Sequence, residues 1–109
     1  MFGPEGNRTY ELTFISQNLR SIKSSYGKLR QAVAEEAPDI VLGQECWKVR
    51  TNYFLSGFHA PIWQERKTKT GGGVIAWIKA NIRYERLIKA EIFMEEEYES
   101  MALKIGKQR

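Results

Sequence analysis

The sequence contains very few of several residue types on which catalytic sites commonly depend. It has one cysteine, Cys46, one histidine, His59, and one aspartate, Asp39, while the other twelve acidic residues are glutamates. A single cysteine excludes an internal disulfide, and no spacing of cysteine and histidine fits a structural zinc site. One copy of the chain therefore cannot assemble an aspartate pair or a histidine-rich metal centre.

Long hydrophobic runs are also missing. No stretch is long enough for a transmembrane helix, and the first ten residues are polar, without the apolar core of a signal peptide. These absences favour an intracellular protein, nuclear or cytoplasmic, that has no membrane partner. The 109 residues, 42% of them hydrophobic, suffice for one domain with its own core. We expect a loose arm over residues 1–10 and a single partial domain over residues 11–109.

The charge of the chain mildly favours an anionic partner. Seventeen lysines and arginines against thirteen acidic residues give a formal net charge of +4. The basic residues are scattered along the chain, which is also typical of an ordinary solvated surface.

The apolar pattern predicts a β-α-β unit in the first half of the chain. Residues 11–18 are predicted to form a strand, residues 21–37 a helix and residues 39–44 a buried strand. One helical face repeats apolar side chains at Ile22, Tyr26, Leu29 and Val33. Ser21 is expected to cap the helix, and Pro38 to end it.

The second half of the chain carries further strand patterns. Residues 74–79 are predicted to be a buried strand that pairs, through a glycine-containing loop, with a strand within 58–66. Pro61 places that partner at a sheet edge or a bulge. Alternating apolar and polar residues predict a half-buried strand over 98–105, whereas the pattern of 81–93 is ambiguous.

Asn18 and Glu45 end the two strands of the predicted β-α-β unit. Parallel strands present their carboxyl ends at one edge of a sheet, where ligands of open α/β sheets bind. A carboxylate and an amide placed there can bind Mg²⁺ together with a phosphate oxygen. The alternative is an ordinary strand-end charge beside a turn-forming asparagine.

A basic, glycine-rich segment covers residues 66–73 and includes Arg66 and Lys69. Its glycines allow a tight turn, and its cations suit phosphates. The order of residues does not fit a P-loop, so a hairpin turn with a charged rim is an equal alternative. Cys46 and His59 are interpreted as structural. The three tryptophans are interpreted as core or rim aromatics rather than base-stacking platforms.

In this order, several segments resemble the endonuclease/exonuclease/phosphatase superfamily, which has the deoxyribonuclease-I-like fold. The resemblance spans residues 12–105, and it is closest to the endonuclease domains of non-LTR retrotransposons. The matching segments are Ser16-Gln17-Asn18-Leu19-Arg20-Ser21, Pro38-Asp39-Ile40-Val41-Leu42-Gly43-Gln44-Glu45-Cys46-Trp47, and Arg66 leading to Gly71-Gly72-Gly73-Val74.

The resemblance implies an α/β chain that is the N-terminal half of a four-layer α/β/β/α sandwich. It also implies phosphodiester hydrolysis that depends on Mg²⁺, with Mn²⁺ as a possible substitute, and DNA nicking as the activity. Glu45 corresponds to the metal-binding glutamate, and Asn18 to the asparagine that helps to hold metal and phosphate. Both are therefore expected in the catalytic site. Arg66, Lys69 and Arg20 are expected to bind the DNA phosphate backbone.

Family members carry further essential residues beyond the region matched here. They include an active-site tyrosine, an Asp-x-Asn pair, another aspartate and a terminal Asp-His pair, none of which is present. We therefore expect an inactive half-domain whose partner is the missing C-terminal half, or which self-associates through an uncovered sheet face. The alternatives are a phosphatase of the same superfamily and a non-catalytic basic fragment that binds nucleic acid or a partner chain.

Overall fold

The computed structural model describes residues 11–65, 72–87 and 103–108. The elements in chain order are β1 (Phe14–Asn18), α1 (Ile22–Glu36), β2 (Ile40–Gln44), β3 (Ile62–Gln64), β4 (Val74–Ile78), β5 (Ile82–Arg86) and β6 (Leu103–Gln108). No helix in these ranges has both the length and the apolar character needed to cross a membrane.

The fold is α/β, and the predicted β-α-β unit is confirmed. The strands β1 and β2 pair in parallel and are connected by α1. They belong to a mixed four-stranded sheet with the order β1-β2-β4-β3, in which β4 pairs antiparallel with both β2 and β3. The strands β5 and β6 form a separate antiparallel pair.

The beginning of α1 differs from the prediction that Ser21 caps the helix. Ser21 has a φ of 90°, and its side chain makes no capping hydrogen bond. Instead, its backbone N–H donates to the carbonyl of Glu45 at 2.8 Å, and that of Ile22 donates to the carbonyl of Cys46 at 3.0 Å. The loop after β2 thus supplies carbonyl acceptors for the first N–H groups at the start of α1, because β1, α1 and β2 meet there.

The end of α1 agrees with the prediction. Ala37 adopts the left-handed conformation, with φ 48° and ψ 54°, and its N–H donates to the carbonyl of Val33 at 2.9 Å. Pro38, which cannot continue a helix, follows immediately. The chain then turns directly into β2.

The four-stranded sheet has a hydrophobic core on each face. On one face, Val41, Ile75 and Trp77 are fully buried with the apolar stripe of α1, which includes Ile22, Leu29 and Val33. On the other face, Ile40 and Ile78 form a second core with Ile82 of β5. Because Ile40 and Val41 are consecutive and lie in different cores, the expectation that β2 is covered on both faces is confirmed.

The strands β5 and β6 supply part of the cover over the second face. The half-buried side chains of Tyr84, Leu103 and Ile105 pack on the core of Ile40 and Ile78. The expectation of a wholly uncovered face is therefore wrong for this part of the sheet. On the β1 side of the sheet, Phe14 remains 57% exposed. Self-association stays a prediction.

The strands β3, β4 and β6 occur where the sequence patterns predict strands, but their bounds differ from the prediction. The strand that follows Pro61, β3, lies at the sheet edge as predicted. The strand expected over 98–105 is described only from Leu103, and it continues to Gln108. Residues 98–102 of that prediction, and most of the glycine-rich segment, lie outside the described residues. Within the ambiguous region 81–93, Ile82 is buried and its neighbour Arg83 is exposed, which is the alternation of a half-buried strand.

Candidate metal and phosphate site

Asn18 and Glu45 meet at one end of the β1–β2 pair, which we call the carboxyl edge. Asn18 lies opposite Gln44 in the parallel register, so Glu45 follows one residue beyond the pairing. The Nδ2 group of Asn18 donates a hydrogen bond to Glu45 Oε2 at 2.7 Å. The structure therefore brings together the two residues that the sequence placed at this edge.

Backbone hydrogen bonds hold the carboxyl edge together around these side chains. The N–H of Leu19 donates to the carbonyl of Gln44 at 2.8 Å, which extends the pairing of β1 and β2 by one residue. The N–H of Cys46 donates to the carbonyl of Gly73 at 3.4 Å, and that of Trp47 to the carbonyl of Gly72 at 2.9 Å. The segment after β2 is thus fixed between the end of β1 and the beginning of β4.

The carboxyl edge concentrates unfavourable backbone conformations. Among the described residues, five that are not glycine have positive φ, and four of them lie here: Arg20 at 48°, Ser21 at 90°, Glu45 at 54° and Trp47 at 62°. Each such residue costs about 1–3 kcal/mol, and this kind of strain clusters at functional sites. The backbone strain is therefore concentrated at the same edge of the sheet as the Asn18–Glu45 pair.

Gly73 packs closely at this edge, in a conformation that strains any other residue. Its φ is 87°, and a Cβ atom would lie 3.0 Å from Cys46 Sγ and 3.2 Å from the carbonyl oxygen of Gln64. At least one glycine of the glycine-rich segment is therefore favoured by its positive φ and by close packing.

The oxygen atoms at the carboxyl edge suit a hard cation. Glu45 is exposed, and no lysine or arginine of the described ranges forms an ion pair with it. Within the same ranges, nothing donates a hydrogen bond to Glu45 Oε1 or Asn18 Oδ1. The described side chains contain no cluster of three or more histidine, cysteine or acidic ligands. One carboxylate beside one amide fits Mg²⁺, which keeps several waters and binds few protein ligands.

The only cysteine is not a nucleophile at this site. Cys46 is completely buried, and burial raises the pKa of its thiol to about 11. The thiol donates to the carbonyl of Trp47 at 3.6 Å and packs in the core beneath α1. Its structural interpretation agrees with this geometry, because a protonated, buried thiol is inert.

The only aspartate and the only histidine lie at the opposite end of the β1–β2 pair, which we call the amino edge. Asp39 immediately precedes β2 and accepts hydrogen bonds from Thr13. The N–H of His59 donates to the carbonyl of Ile78, whose residue pairs with the first residue of β2. A ring nitrogen of His59 lies 2.9 Å from the carbonyl oxygen of Ile82. Neither residue can reach Glu45 across the strand, which is roughly 15 Å long.

The predicted phosphate-binding residues are described only in part. Arg20 is exposed in the turn between β1 and α1, two residues after Asn18, as expected for this edge. Arg66 and Lys69 lie outside the described residues. Binding of the phosphate backbone by these three residues stays a prediction.

The three tryptophans occupy different environments. Trp77 is fully buried, and its Nε1 donates to the carbonyl of Tyr53 at 2.7 Å. Trp63 is half-buried, and Trp47 is 43% exposed at the carboxyl edge. Nothing in the pattern of the sequence signals this exposure, because Glu45 and Trp47 flank the buried Cys46 in left-handed backbone conformations rather than in a strand.

The structure also contains a groove remote from this site. It has a volume of about 750 Å³ and lies between the second half of α1 and the loop at residues 55–58. Leu55, Phe58 and Pro38 line it, and neither Asn18 nor Glu45 does.

Comparison of the chain with models of known protein families finds no match, and comparison with curated proteins finds none.

Proposed function

We propose that this chain is the N-terminal half of a Mg²⁺-dependent phosphodiesterase domain that nicks DNA, of the kind found in non-LTR retrotransposons. The observation that supports it most is the 2.7 Å hydrogen bond between Asn18 Nδ2 and Glu45 Oε2 at the carboxyl ends of adjacent parallel strands. Open α/β sheets bind ligands at such ends. The sequence resemblance assigns both residues to the catalytic site.

Each residue has a distinct role in this proposal. Glu45, through its carboxylate, and Asn18, through its amide oxygen, are the residues that would hold Mg²⁺ or Mn²⁺. When bound, such an ion stabilises the negative charge that develops on a phosphodiester under attack. The Asn18 Nδ2 group orients the Glu45 carboxylate. Arg20 at this edge, together with Arg66 and Lys69, adds positive charge for phosphates.

The proposal requires a general base from outside the described residues. Asp39 and His59 are engaged at the amino edge, and the Cys46 thiol is buried and protonated. General acid–base catalysis is typically worth about 10²–10⁴-fold in rate. The chain alone is therefore proposed to bind the ion without efficient hydrolysis, and the C-terminal half of the domain is proposed to complete the site.

A Mn²⁺ titration followed by electron paramagnetic resonance tests the proposal without requiring activity. We expect the 109-residue chain to bind Mn²⁺, and Mg²⁺ to compete for the site. Glu45→Gln should weaken binding at least tenfold, because it removes the carboxylate of the proposed Asn18–Glu45 site. Asn18→Asp should tighten binding, because the affinity of a cation site rises with the charge of its ligands.

The matched control is Glu36→Gln, which removes another exposed carboxylate, at the end of α1. This variant should bind Mn²⁺ like the unmodified chain. Equal affinity of the Glu45→Gln variant and the unmodified chain would overturn the proposal.

A further inference from the structure

Trp47 is an exposed aromatic residue beside the Asn18–Glu45 pair. It follows Glu45 by two residues, and 43% of its surface is exposed. Its backbone N–H donates to the carbonyl of Gly72 at 2.9 Å, so the residue is fixed where the chain enters β4. Backbone contacts therefore fix Trp47 at the carboxyl edge.

Packing within the protein does not explain why a tryptophan occupies position 47. A bulky side chain at φ 62° is unfavourable, and glycine would remove the strain. Trp77 shows what a structural tryptophan looks like here, since it is fully buried and its Nε1 is hydrogen-bonded to Tyr53. No acceptor among the described residues receives a hydrogen bond from Trp47 Nε1. The chain thus holds a large, strained aromatic surface open to solvent beside its candidate phosphate site.

We infer that Trp47 stacks on an unpaired nucleobase next to the phosphate held at Asn18 and Glu45. The inference rests on the proposed function and narrows its substrate class to a nucleic acid with an unpaired nucleotide at that position. An aromatic ring offers a base a flat apolar surface whatever the base identity. A fully stacked duplex presents no free base face at such a position. A small phosphoester without an aromatic ring would gain nothing from the indole.

Binding of two oligonucleotides to the 109-residue chain separates base stacking from phosphate attraction. One is a fluorescein-labelled single-stranded DNA of about ten nucleotides, within the usual site sizes for such strands. The other is its abasic counterpart, which has the same phosphates and no bases. Fluorescence anisotropy in Mg²⁺ gives both affinities.

We expect the base-containing strand to bind more tightly, and Trp47→Ala to weaken its binding about tenfold, within the roughly 5- to 150-fold range of one stack. Binding of the abasic strand should stay unchanged in that variant. Trp47→Phe should retain most of the preference, because it keeps an aromatic ring. Trp47→Gly should lose the preference for the base-containing strand. Because glycine adopts this backbone conformation without strain, such a loss would come from the missing aromatic ring and not from misfolding.

The matched control is Phe14→Ala, which removes an even more exposed aromatic ring at the other end of β1. This variant should bind both strands like the unmodified chain. Equal affinity of that chain for both strands, equal losses on both strands in Trp47→Ala, or no binding of either strand would overturn the inference. The Mn²⁺ titration does not depend on Trp47. If the unmodified chain does not bind Mn²⁺, the proposed function is wrong. If it binds Mn²⁺ but shows no preference for the base-containing strand, only this inference is wrong.

Discussion

Each end of the β1–β2 pair has one carboxylate next to a polar side chain: Asp39 beside Thr13 at the amino edge, and Glu45 beside Asn18 at the carboxyl edge. The two carboxylates differ in how many hydrogen bonds and ion pairs the protein gives them. At the amino edge, Asp39 accepts hydrogen bonds from Thr13 N and Thr13 Oγ1 at 2.9 and 3.2 Å, and Lys79 Nζ lies 3.5 Å from its other oxygen. At the carboxyl edge, Glu45 accepts one hydrogen bond, from Asn18, and forms no ion pair with the described cations.

This difference separates a structural carboxylate from a carboxylate that is available to a ligand. Asp39 is 8% exposed and its bonding capacity is largely used within the protein. The backbone N–H of Thr13 is the main reason why the pKa of Asp39 lies below its ordinary value of 3.8, and Lys79 adds to the effect. Glu45 is exposed and sits on a strained backbone, and its second oxygen receives no hydrogen bond from the described residues. A carboxylate with these properties contributes little to folding and is suited to binding a cation.

The largest expected effect comes from removing each carboxylate in turn. Asp39→Ala should lower the free energy of unfolding by about 1–2 kcal/mol, because it leaves the part-buried Thr13 N–H without its charged acceptor. Glu45→Ala should change it by less than about 0.5 kcal/mol, as is usual for exposed residues. Urea denaturation measures both. Equal decreases in the free energy of unfolding of the two variants would show that the two carboxylates do not differ in their contribution to folding.

The pH dependence of stability should come from the amino edge. Because the pKa of Asp39 is lowered by folding, its contribution is complete well above pH 3.8 and is lost as the pH falls below that value. Asp39→Asn removes this contribution. The two chains should therefore differ most in stability near neutral pH and converge in acid. A stability difference that grows on acidification would show that the sign is wrong.

Relief of backbone strain at Glu45 should raise the stability of the chain and abolish cation binding at the carboxyl edge. Glu45→Gly should raise the free energy of unfolding by about 1 kcal/mol, because glycine adopts a φ of 54° without steric cost. The same variant should lose Mn²⁺ binding.

Ala37→Gly is the control for strain relief, because Ala37 has a φ of 48° at the end of α1, away from the carboxyl edge. It should give a similar gain in stability and leave Mn²⁺ binding intact. A loss of stability in Glu45→Gly would indicate that the glutamate has a structural role.

The smallest expected effect is in catalysis. The 109-residue chain should not relax supercoiled plasmid at a useful rate in Mg²⁺, because Asp39 and His59 are held at the amino edge and cannot serve Glu45. A plasmid-nicking assay checks this expectation. Mg²⁺-dependent relaxation that survives Glu45→Ala would show that the site is misassigned.

The sequence predicted the elements that depend on local patterns. The stripe of Ile22, Leu29 and Val33 is buried as its spacing implies, and Pro38 follows the helix end. The consecutive apolar residues Ile40 and Val41 lie in two cores. The meeting of Asn18 and Glu45 followed from parallel strand pairing alone. These features are determined by residues close in sequence, or by a single topological rule.

Features that depend on distant parts of the chain were not predictable. Ser21 looks like a helix cap, but the loop after β2 supplies the acceptors for the first N–H groups. The cover over Ile78 comes from β5 and β6, whose packing is a tertiary property. The structural role of Asp39 was not predictable, because its hydrogen bonds to Thr13 join positions that are 26 residues apart. The strained φ values of Glu45 and Trp47 leave no mark in composition or periodicity.

The most direct test of a cation site at the carboxyl edge is paramagnetic broadening by Mn²⁺ in the ¹⁵N–¹H spectrum of the 109-residue chain. Substoichiometric Mn²⁺ should broaden the side-chain amide of Asn18 and the backbone amides of Leu19, Glu45 and Cys46. The amides of Thr13 and Asp39, at the other end of the same two strands, should remain sharp. Broadening centred on Asp39, or spread evenly over both edges, would contradict the assignment of Glu45 and Asn18 as the cation site.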